Sequence, residues 1–458
     1  MPSLWFKTAL LPQGWAEQVR LTVAHGRIAA VETGVPPAAD DERHGAALPG
    51  LCNVHSHAFQ RGMAGLTEFR GPTADDFWTW RALMYRFLDR ITPEDMEAIA
   101  AQAYVEMLQT GFTRVGEFHY LHHDPAGEPY ADLAEMAGRI AAAADDTGIG
   151  LTLLPVLYAH GNFGGAPPAP GQRRFLNSVD RFAALVEASR TAIAALPDAN
   201  LGVAPHSLRA VTAEELAEVT GLIPGAPVHI HAAEQTREVD DSLAWSGQRP
   251  VEWLLDHAGV DQRWCLIHAT HLTPAETEAL AASGAVAGLC PITEANLGDG
   301  VFPAADYLAP DALGVVGRFG IGTDSNVAID PAQELRGLEY AQRLTLRARN
   351  VLSSAARPST GGTLFEGAWA GGAQALGQPA LGLAAGAAAD IVALDGDHPS
   401  LYGRAGDALL DAWVFAGAPG MVGSVWRAGR PVVRGGRHRQ AERIGRRYRR
   451  TLDRLLGA

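Results

Sequence analysis

The sequence predicts an α/β protein, namely a (β/α)8 barrel with a small β-sandwich domain built from both termini. Eight short apolar runs that end in polar residues alternate with helical stretches rich in Ala, Leu and Glu. This alternation indicates a parallel sheet, and eight such units indicate a barrel. Short β-like pieces near both ends of the 458-residue chain indicate strands of one further sheet.

The small domain is predicted from alternating apolar and polar residues. Its amino-terminal strands are expected at 5–11, 19–24 and 28–32, and its carboxyl-terminal strands at 389–394, 422–426 and 429–433. We therefore expect the small domain to cover 1–45 plus 380–436, the barrel 46–379 and a C-terminal helix 437–458.

The barrel strands are predicted at the eight apolar runs, which are 46–55, 113–119, 150–158, 201–206, 227–231, 264–268, 285–289 and 319–324. Capping residues mark four of the intervening helices, at Thr92, Thr212, Thr273 and Asp330, and three of them precede proline at the first helical position. Two segments, 60–90 and 160–174, interrupt the alternation. Long loops at the carboxyl ends of strands often cover a site, so we expect a lid there.

Composition excludes several classes of protein. The formal net charge of −14 argues against nucleic acid as the main partner. No apolar run reaches the roughly 20 residues that span a bilayer, and the amino terminus does not resemble a secretion signal. The three cysteines, Cys52, Cys265 and Cys290, lie in apolar segments, as is typical of buried thiols in a reducing cytoplasm. Lys7 is the single lysine, which argues against Schiff-base chemistry and a lysine carbamate between two metals.

Histidines mark the ends of the predicted barrel strands, which meet at the catalytic face of such a barrel. Six of the sixteen lie there: His55, His57, His119, His206, His231 and His268. The first two are two residues apart, so both point the same way from an extended strand. With His231 and Asp324 they form an N,N,N,O set that suits Zn²⁺ or Fe²⁺. Spacing alone does not decide between His231 and His229.

Three residues are candidates for the chemistry beside such an ion. Glu234 follows His231 by three residues and can move a proton between water and a leaving group. His268 ends the next strand and can hold the water or polarise the substrate. Asp324 can ligate the metal and also accept a proton.

These motifs resemble the mononuclear, metal-dependent amidohydrolase superfamily. The resemblance rests on His55-Ser56-His57 after Leu48-Pro49-Gly50-Leu51, together with His231, Glu234, His268 and Gly322-Thr323-Asp324. It implies that His55, His57, His231 and Asp324 bind one divalent metal ion, for which Zn²⁺ is the first expectation and Fe²⁺ the alternative. It also implies that Glu234 is the proton shuttle and that His268 lies beside the metal. Relatives further imply a homodimer.

Further strings resemble a subfamily that deiminates N-formimino-L-glutamate to N-formyl-L-glutamate and ammonia in histidine degradation. They are Asn53 to Arg61, Phe77 to Arg81, Gly116 to Tyr120, Ala204 to Arg209 and Cys290 to Gly298. The resemblance implies substrate contacts by Gln60, Arg81, Tyr120, His206 and Arg209. Such a substrate carries two carboxylates, which arginine binds in bidentate fashion. Arg61, Arg70, Arg173 and Arg174 are rival carboxylate binders.

Two alternative functions stay open at this point. A deaminase of nucleobases or nucleosides from the same superfamily would use the same metal set with a flat pocket. A non-enzymatic module would instead bind nucleic acid or a membrane surface through the arginine-rich tail from Arg437 to Arg454. Apolar residues at helical spacing in that tail favour a docked helix with a basic outer face. We therefore expect a small-molecule substrate and neither a nucleic-acid nor a membrane partner.

Overall fold

A computed structural model describes residues 3–71, 74–309 and 314–457. Its strands, in chain order, are β1 (Ser3–Leu11), β2 (Gly14–Ala24), β3 (Arg27–Glu32), β4 (Glu42–Pro49), β5 (Leu51–Ser56), β6 (Phe112–His119), β7 (Gly150–Leu157), β8 (Asn200–Leu201), β9 (Ala204–Pro205), β10 (Val228–Ala232), β11 (Trp264–His268), β12 (Val286–Leu289), β13 (Arg318–Ile321), β14 (Ile391–Leu394), β15 (Val422–Arg427), β16 (Arg430–Arg434) and β17 (Arg437–His438).

The α-helices, in chain order, are α1 (Phe77–Leu88), α2 (Pro93–Thr110), α3 (Glu135–Thr147), α4 (Val179–Ile193), α5 (Ala213–Gly221), α6 (Thr236–Ser246), α7 (Pro250–His257), α8 (Pro274–Ser283), α9 (Pro291–Leu297), α10 (Ala304–Tyr307), α11 (Pro331–Leu346), α12 (Thr360–Ala375), α13 (Asp407–Phe415) and α14 (Ala441–Leu456). Two 3-10 helices cover Ala58–Met63 and Pro170–Gln172. Within the described residues no helix is both long and apolar enough to span a membrane.

A parallel sheet carries the carboxyl-terminal strand ends that form the site. Its hydrogen-bonded order is β10-β11-β12-β13-β5-β6-β7-β8, and β9 also pairs with β7. The sheet is curled, because Val203 N–H donates to the Pro227 carbonyl at 3.0 Å and His229 N–H donates to Val203 at 3.1 Å, next to β10. Helices follow the strands as the alternation predicted, so the α/β class is confirmed.

The two termini share a second sheet of eight strands in the order β17-β16-β15-β14-β4-β1-β2-β3. Both sets of terminal strands predicted from the sequence lie in it. The amino-terminal part joins the carboxyl-terminal part through β4, which pairs in parallel with β1 and antiparallel with β14. Some of its apolar residues, including Phe6 and Trp426, form a cluster of their own. Others on the same strands, such as Leu48 and Val425, belong to the core of the parallel sheet.

One predicted strand, 46–55, is wrong because it joins residues of two different sheets. Residues 46–49 belong to β4 in the terminal sheet, and β5 begins at Leu51 in the parallel sheet. Gly50 allows the chain to pass from one sheet to the other, because a Cβ atom at this position would lie 2.2 Å from Thr113 Oγ1. The expected strand 201–206 likewise divides into β8 and β9.

Helix capping agrees with the sequence at all four predicted positions. Thr92, Thr212 and Thr273 each form a capping box with an acidic residue three positions later. Asp330 accepts the N–H groups of Ala332 and Gln333 at the start of α11. These caps satisfy amide donors that the first turn of a helix leaves free.

The carboxyl-terminal helix begins later than predicted. Residues 437–438 form β17, which pairs with β16, and α14 starts at Ala441. The helix packs against α2, where Ile444 and Leu455 are buried and Arg447 pairs with Glu97 at 2.6 Å. Part of the arginine-rich tail is therefore committed to contacts within the chain.

Candidate metal centre and active site

Four side chains from three strand ends converge on one point. His55 Nε2 lies 3.2 Å from His57 Nε2 and 3.1 Å from His231 Nε2. Asp324 Oδ1 lies 3.3 Å from His55 Nε2 and 3.2 Å from His57 Nε2. One ligand atom from each residue falls within 4.8 Å of all the others, and all four residues are buried. The residues predicted as a metal set are thus adjacent, although Asp324 is 269 positions from His55.

The protonation of these imidazoles shows that the cluster fits a cation. His57 Nδ1 faces the Phe118 carbonyl at 3.0 Å, and His231 Nδ1 faces the His206 carbonyl at 3.1 Å. Because a carbonyl only accepts, both Nδ1 atoms carry a proton, and in the neutral imidazole the Nε2 atom then presents a lone pair. Such lone pairs and the Asp324 carboxylate are suited to binding one cation between them. The distances between the four donor atoms are close to those expected when each donor lies about 2.0–2.2 Å from one ion.

Electrostatics of the cluster agree with ligands in their unprotonated forms. Burial lowers the pKa of His55 to about 3. Burial by itself would raise the pKa of Asp324, but contact with His55 and His57 holds that pKa well below its usual range. Neutral imidazole and ionised carboxylate are the forms that bind divalent metals.

Backbone geometry directs two of these strand ends inwards. Asp324 has a φ of 41° and His268 a φ of 69°, both in the left-handed region that side-chain-bearing residues rarely adopt. The Asp324 N–H donates to the His55 carbonyl at 2.9 Å, which ties the end of β13 to β5. Such conformations persist when the surrounding structure fixes them, and they are concentrated at functional sites.

Beside the cluster lies a second group made of Glu234, His268 and Glu294. His268 Nε2 is 3.8 Å from Glu234 Oε1 and 3.9 Å from Asp324 Oδ2, while His268 Nδ1 is 3.2 Å from Glu294 Oε1. Burial alone would lower the pKa of His268, but the carboxylates around it, Glu234 foremost, raise it to about 10. Burial raises the pKa of Glu234. A carboxyl group shifted towards neutrality beside a basic imidazole is suited to proton transfer.

The two histidines of β10 differ in their hydrogen-bond partners. His229 Nε2 faces the Ala375 carbonyl at 2.8 Å, on the side of α12, whereas His231 joins the cluster. Spacing could not separate them because both are buried and two apart.

A narrow cavity opens next to the cluster. Its lining includes every predicted substrate contact, Gln60, Arg81, Tyr120, His206 and Arg209, together with His57, His231, Glu234 and Asp324. Its volume is about 60 Å³. The wall includes α1 residues from the predicted lid segment 60–90.

Two arginines of the cavity are not neutralised by a close carboxylate. Arg81 donates to the hydroxyl groups of Tyr85 at 2.5 Å and Tyr158 at 3.1 Å. Arg209 lies 4.0 Å from Glu238, and its buried Nε has no hydrogen-bond partner among the described residues. Arg81 therefore has no close carboxylate partner and Arg209 has only a long ion pair with Glu238, so both can still bind an anionic ligand.

Three of the rival arginines are committed elsewhere. Arg61 pairs with Glu106 at 2.9 Å, Arg173 pairs with Asp89 at 2.6 Å, and Arg174 donates to main-chain carbonyls such as His123 at 2.9 Å. Arg70 is exposed and does not line the cavity. The structure therefore brings Arg81 and Arg209 to the site and leaves the rivals away from it.

The remaining predicted contacts lie between the arginines and the donor cluster. Gln60 Nε2 donates to the Tyr120 hydroxyl at 3.0 Å, and the His206 ring packs on His231 with centroids 4.8 Å apart. Sequence reasoning missed Glu294, Tyr85, Tyr158 and Gln172. Tyr158 directly follows β7, at a strand end like those of the histidines, and this position was the available signal.

Family comparison divides the chain into two adjoining matches. Residues 46–432 match the model of the amidohydrolase family, and residues 2–45 match that of the N-terminal domain of formimidoylglutamate deiminase HutF. The chain is 52% identical over 460 residues to the formimidoylglutamate deiminase of Pseudomonas aeruginosa, with 100% of both chains covered.

Solved structures give the same picture of the fold. An amidohydrolase from Brucella melitensis is similar with a TM-score of 0.95 and 56% identity, and 100% of each chain is covered. An adenosine deaminase from Xanthomonas campestris with bound zinc is similar with a TM-score of 0.79 and 23% identity, covering 100% of this chain and 98% of that one. The second likeness concerns the fold alone.

Proposed function

The chain belongs to the amidohydrolase family, and from that premise we propose that it hydrolyses N-formimino-L-glutamate to N-formyl-L-glutamate and ammonia in histidine degradation. The observation that carries the proposal is one cavity with a metal-ligand cluster at one side and two arginines without a close carboxylate in its wall. A linear amidine with two carboxylates matches that arrangement. The full-length similarity to a formimidoylglutamate deiminase supports the same substrate.

The buried His/His/His/Asp cluster of an amidohydrolase indicates one divalent metal ion, and we propose Zn²⁺, with Fe²⁺ as the alternative. His55, His57, His231 and Asp324 would hold it. When bound, the ion supplies Lewis-acid activation of a water molecule at neutral pH.

We assign proton transfer to Glu234. Its carboxylate takes a proton from the water that adds to the formimino carbon and returns a proton to the nitrogen that leaves. The second proton of that water, left on the new hydroxyl group, moves to the same nitrogen. The carbon–nitrogen bond to that nitrogen then breaks, ammonia departs, and the water oxygen becomes the formyl oxygen. His268, held by Glu294 at 3.2 Å, orients the water beside Glu234 and Asp324.

The substrate is positioned by the five predicted contacts. Arg81 and Arg209 each pair with one carboxylate, while Gln60, Tyr120 and His206 supply polar contacts nearer the donor cluster. Fixing both carboxylates sets the distance between the formimino carbon and Glu234. Such positioning contributes to catalysis by reducing the freedom that the reactants lose in the transition state.

The proposal is tested by ammonia release from N-formimino-L-glutamate, measured on purified full-length protein of determined metal content. Guanine, cytosine and adenosine serve as controls. We expect release from N-formimino-L-glutamate and loss of that release on chelation, with recovery when zinc is added. Release from a nucleobase or nucleoside, but not from N-formimino-L-glutamate, would assign the chain to the alternative class of deaminase.

We also propose the finer architecture. The curled sheet is interpreted as a (β/α)8 barrel over 46–379, with a small β-sandwich domain of 1–45 plus 380–436 and a C-terminal segment 437–458 that contains α14. The change of family match between residues 45 and 46 supports the first boundary, although β4 crosses it. The homodimer, the cytoplasmic location and the lack of nucleic-acid and membrane partners remain predictions.

A further inference from the structure

The hydroxyl group of Tyr158 accepts two hydrogen bonds from the wall of the cavity. Arg81 Nη2 donates to it at 3.1 Å, and Gln172 Nε2 donates to it at 2.7 Å. A guanidinium group has no acceptor atom, so the first bond has only one possible direction.

The direction of the second bond is fixed by the other end of the Gln172 amide. Gln172 Oε1 accepts the backbone N–H of Ala169 at 2.6 Å. Because the amide oxygen is used there, the amide nitrogen faces Tyr158 and donates to it. Tyr158 cannot give its own proton to either neighbour.

Among the described residues no atom accepts the hydroxyl proton of Tyr158. Because the side chain is buried, that proton can point in few directions. Tyr158 is 3% exposed. Its ring packs on His206 with centroids 4.6 Å apart and on Phe175 at 5.8 Å, and it lines the cavity. A buried hydroxyl donor normally has a partner, so the missing acceptor must come from what occupies the cavity.

Charge at this wall indicates what kind of acceptor is missing. Arg81 is held by the hydroxyls of Tyr85 and Tyr158, which are neutral, so its hydrogen-bond direction is fixed while its positive charge is kept. A cation and an O–H donor side by side match the two oxygens of a carboxylate.

We propose that Tyr158 determines specificity by donating its hydroxyl proton to the same substrate carboxylate that Arg81 binds. Gln172 is a positioning residue, which keeps that proton directed into the cavity. The inference rests on the proposed function and adds to it a contact that the sequence did not indicate.

The first experiment compares Tyr158→Phe with the wild-type protein, both metal-loaded. The variant keeps the ring and its packing and removes the donor. We expect kcat/KM for N-formimino-L-glutamate to fall about 10- to 100-fold, as for loss of a hydrogen bond to a charged group. The fall lies mainly in KM, because the carboxylate contact is the same in ground and transition states. The dissociation constant of N-formyl-L-glutamate rises by a similar factor.

Tyr307→Phe is the matched control. Tyr307 is also buried, and its hydroxyl donates to the Arg318 carbonyl at 2.9 Å, away from the cavity. We expect its kcat, KM and product affinity to stay within about twofold of wild type. If Tyr158→Phe leaves KM and product binding unchanged, the inference is wrong.

A double-mutant cycle separates direct contact from support of Arg81. In the Arg81→Met background, a direct donor still binds the carboxylate, so adding Tyr158→Phe raises KM further, by at least about threefold. If the double variant equals Arg81→Met, Tyr158 acts only through the arginine and the inference is overturned. Failure of the wild-type protein to release ammonia from N-formimino-L-glutamate would instead overturn the proposed function, independently of either variant.

Discussion

The two ends of the parallel sheet carry charged clusters of opposite character. At the amino-terminal end, Arg114 pairs with Asp198 at 2.7 Å, and Arg427 pairs with Asp198 and, at 3.0 Å, with Asp390. Each guanidinium there has a carboxylate partner. At the carboxyl-terminal end, imidazole nitrogens face one another, and the cavity arginines have hydroxyl neighbours or a carboxylate no closer than 4.0 Å.

This difference separates a structural cluster from a functional one. Buried charges that are paired within the chain hold two sheets together and leave nothing for a ligand. Buried donors without matching partners cost free energy, and they persist when a ligand completes them. The following predictions test this contrast, from the largest expected effect on turnover to the smallest.

Removal of a predicted metal ligand has the largest effect. His231→Ala should lose bound metal and lower kcat at least about 10⁴-fold, because the water is no longer activated. Metal content is measured by atomic absorption alongside ammonia release. His229→Gln is the control on the same strand, since its amide can still donate to the Ala375 carbonyl. Equal metal loss in both variants would contradict the assignment of His231 to the cluster.

Glu234→Gln should have the next largest effect. It keeps the shape of the side chain but removes the base, so kcat falls about 10²- to 10⁴-fold while metal content is unchanged. Glu276→Gln changes a buried carboxylate that pairs with Arg249 at 2.6 Å outside the cavity, and it should leave kcat within about twofold. Normal turnover by the Glu234 variant would remove that residue from the mechanism.

Much of the fold could be predicted because local chemistry determines it. The caps at Thr92 and Thr273 and the strand ends at His231 and His268 depend on residues close in sequence. The division of 46–55 at Gly50 could not be predicted, since it depends on contact with Thr113 of another strand.

The metal-ligand cluster could be predicted from the sequence because its residue types are unusual at strand ends. The partners of Arg81 could not be predicted, for a physical reason. Tyr85, Tyr158 and Gln172 are common in cores and loops, and their role depends on where three distant segments meet. A sequence shows which groups can donate or accept, but not which of them remain without a partner after folding.

Arg209→Met should have an intermediate effect. Loss of a charge-assisted contact with a substrate carboxylate lowers kcat/KM about 10- to 100-fold, with kcat less affected than KM. Steady-state ammonia release over a range of substrate concentrations measures both constants. Arg173→Met, which removes an exposed pair with Asp89, is the control and should change neither. A larger fall in kcat/KM for the Arg173 variant than for the Arg209 variant would indicate that Arg173 binds a substrate carboxylate.

Arg427→Met should have the smallest effect on turnover and a large effect on stability. It leaves Asp390 and part of Asp198 without a cation, so the free energy of unfolding should fall by about 2–4 kcal/mol. Because the cluster is at the opposite end of the sheet, kcat and KM of the folded variant should stay within about twofold. Urea unfolding monitored by tryptophan fluorescence measures the first quantity. Arg443→Met, which breaks an exposed pair with Asp146, should cost about 0–1 kcal/mol. A stable Arg427 variant with impaired turnover would show that the two ends of the sheet are coupled, and the contrast between them would not hold.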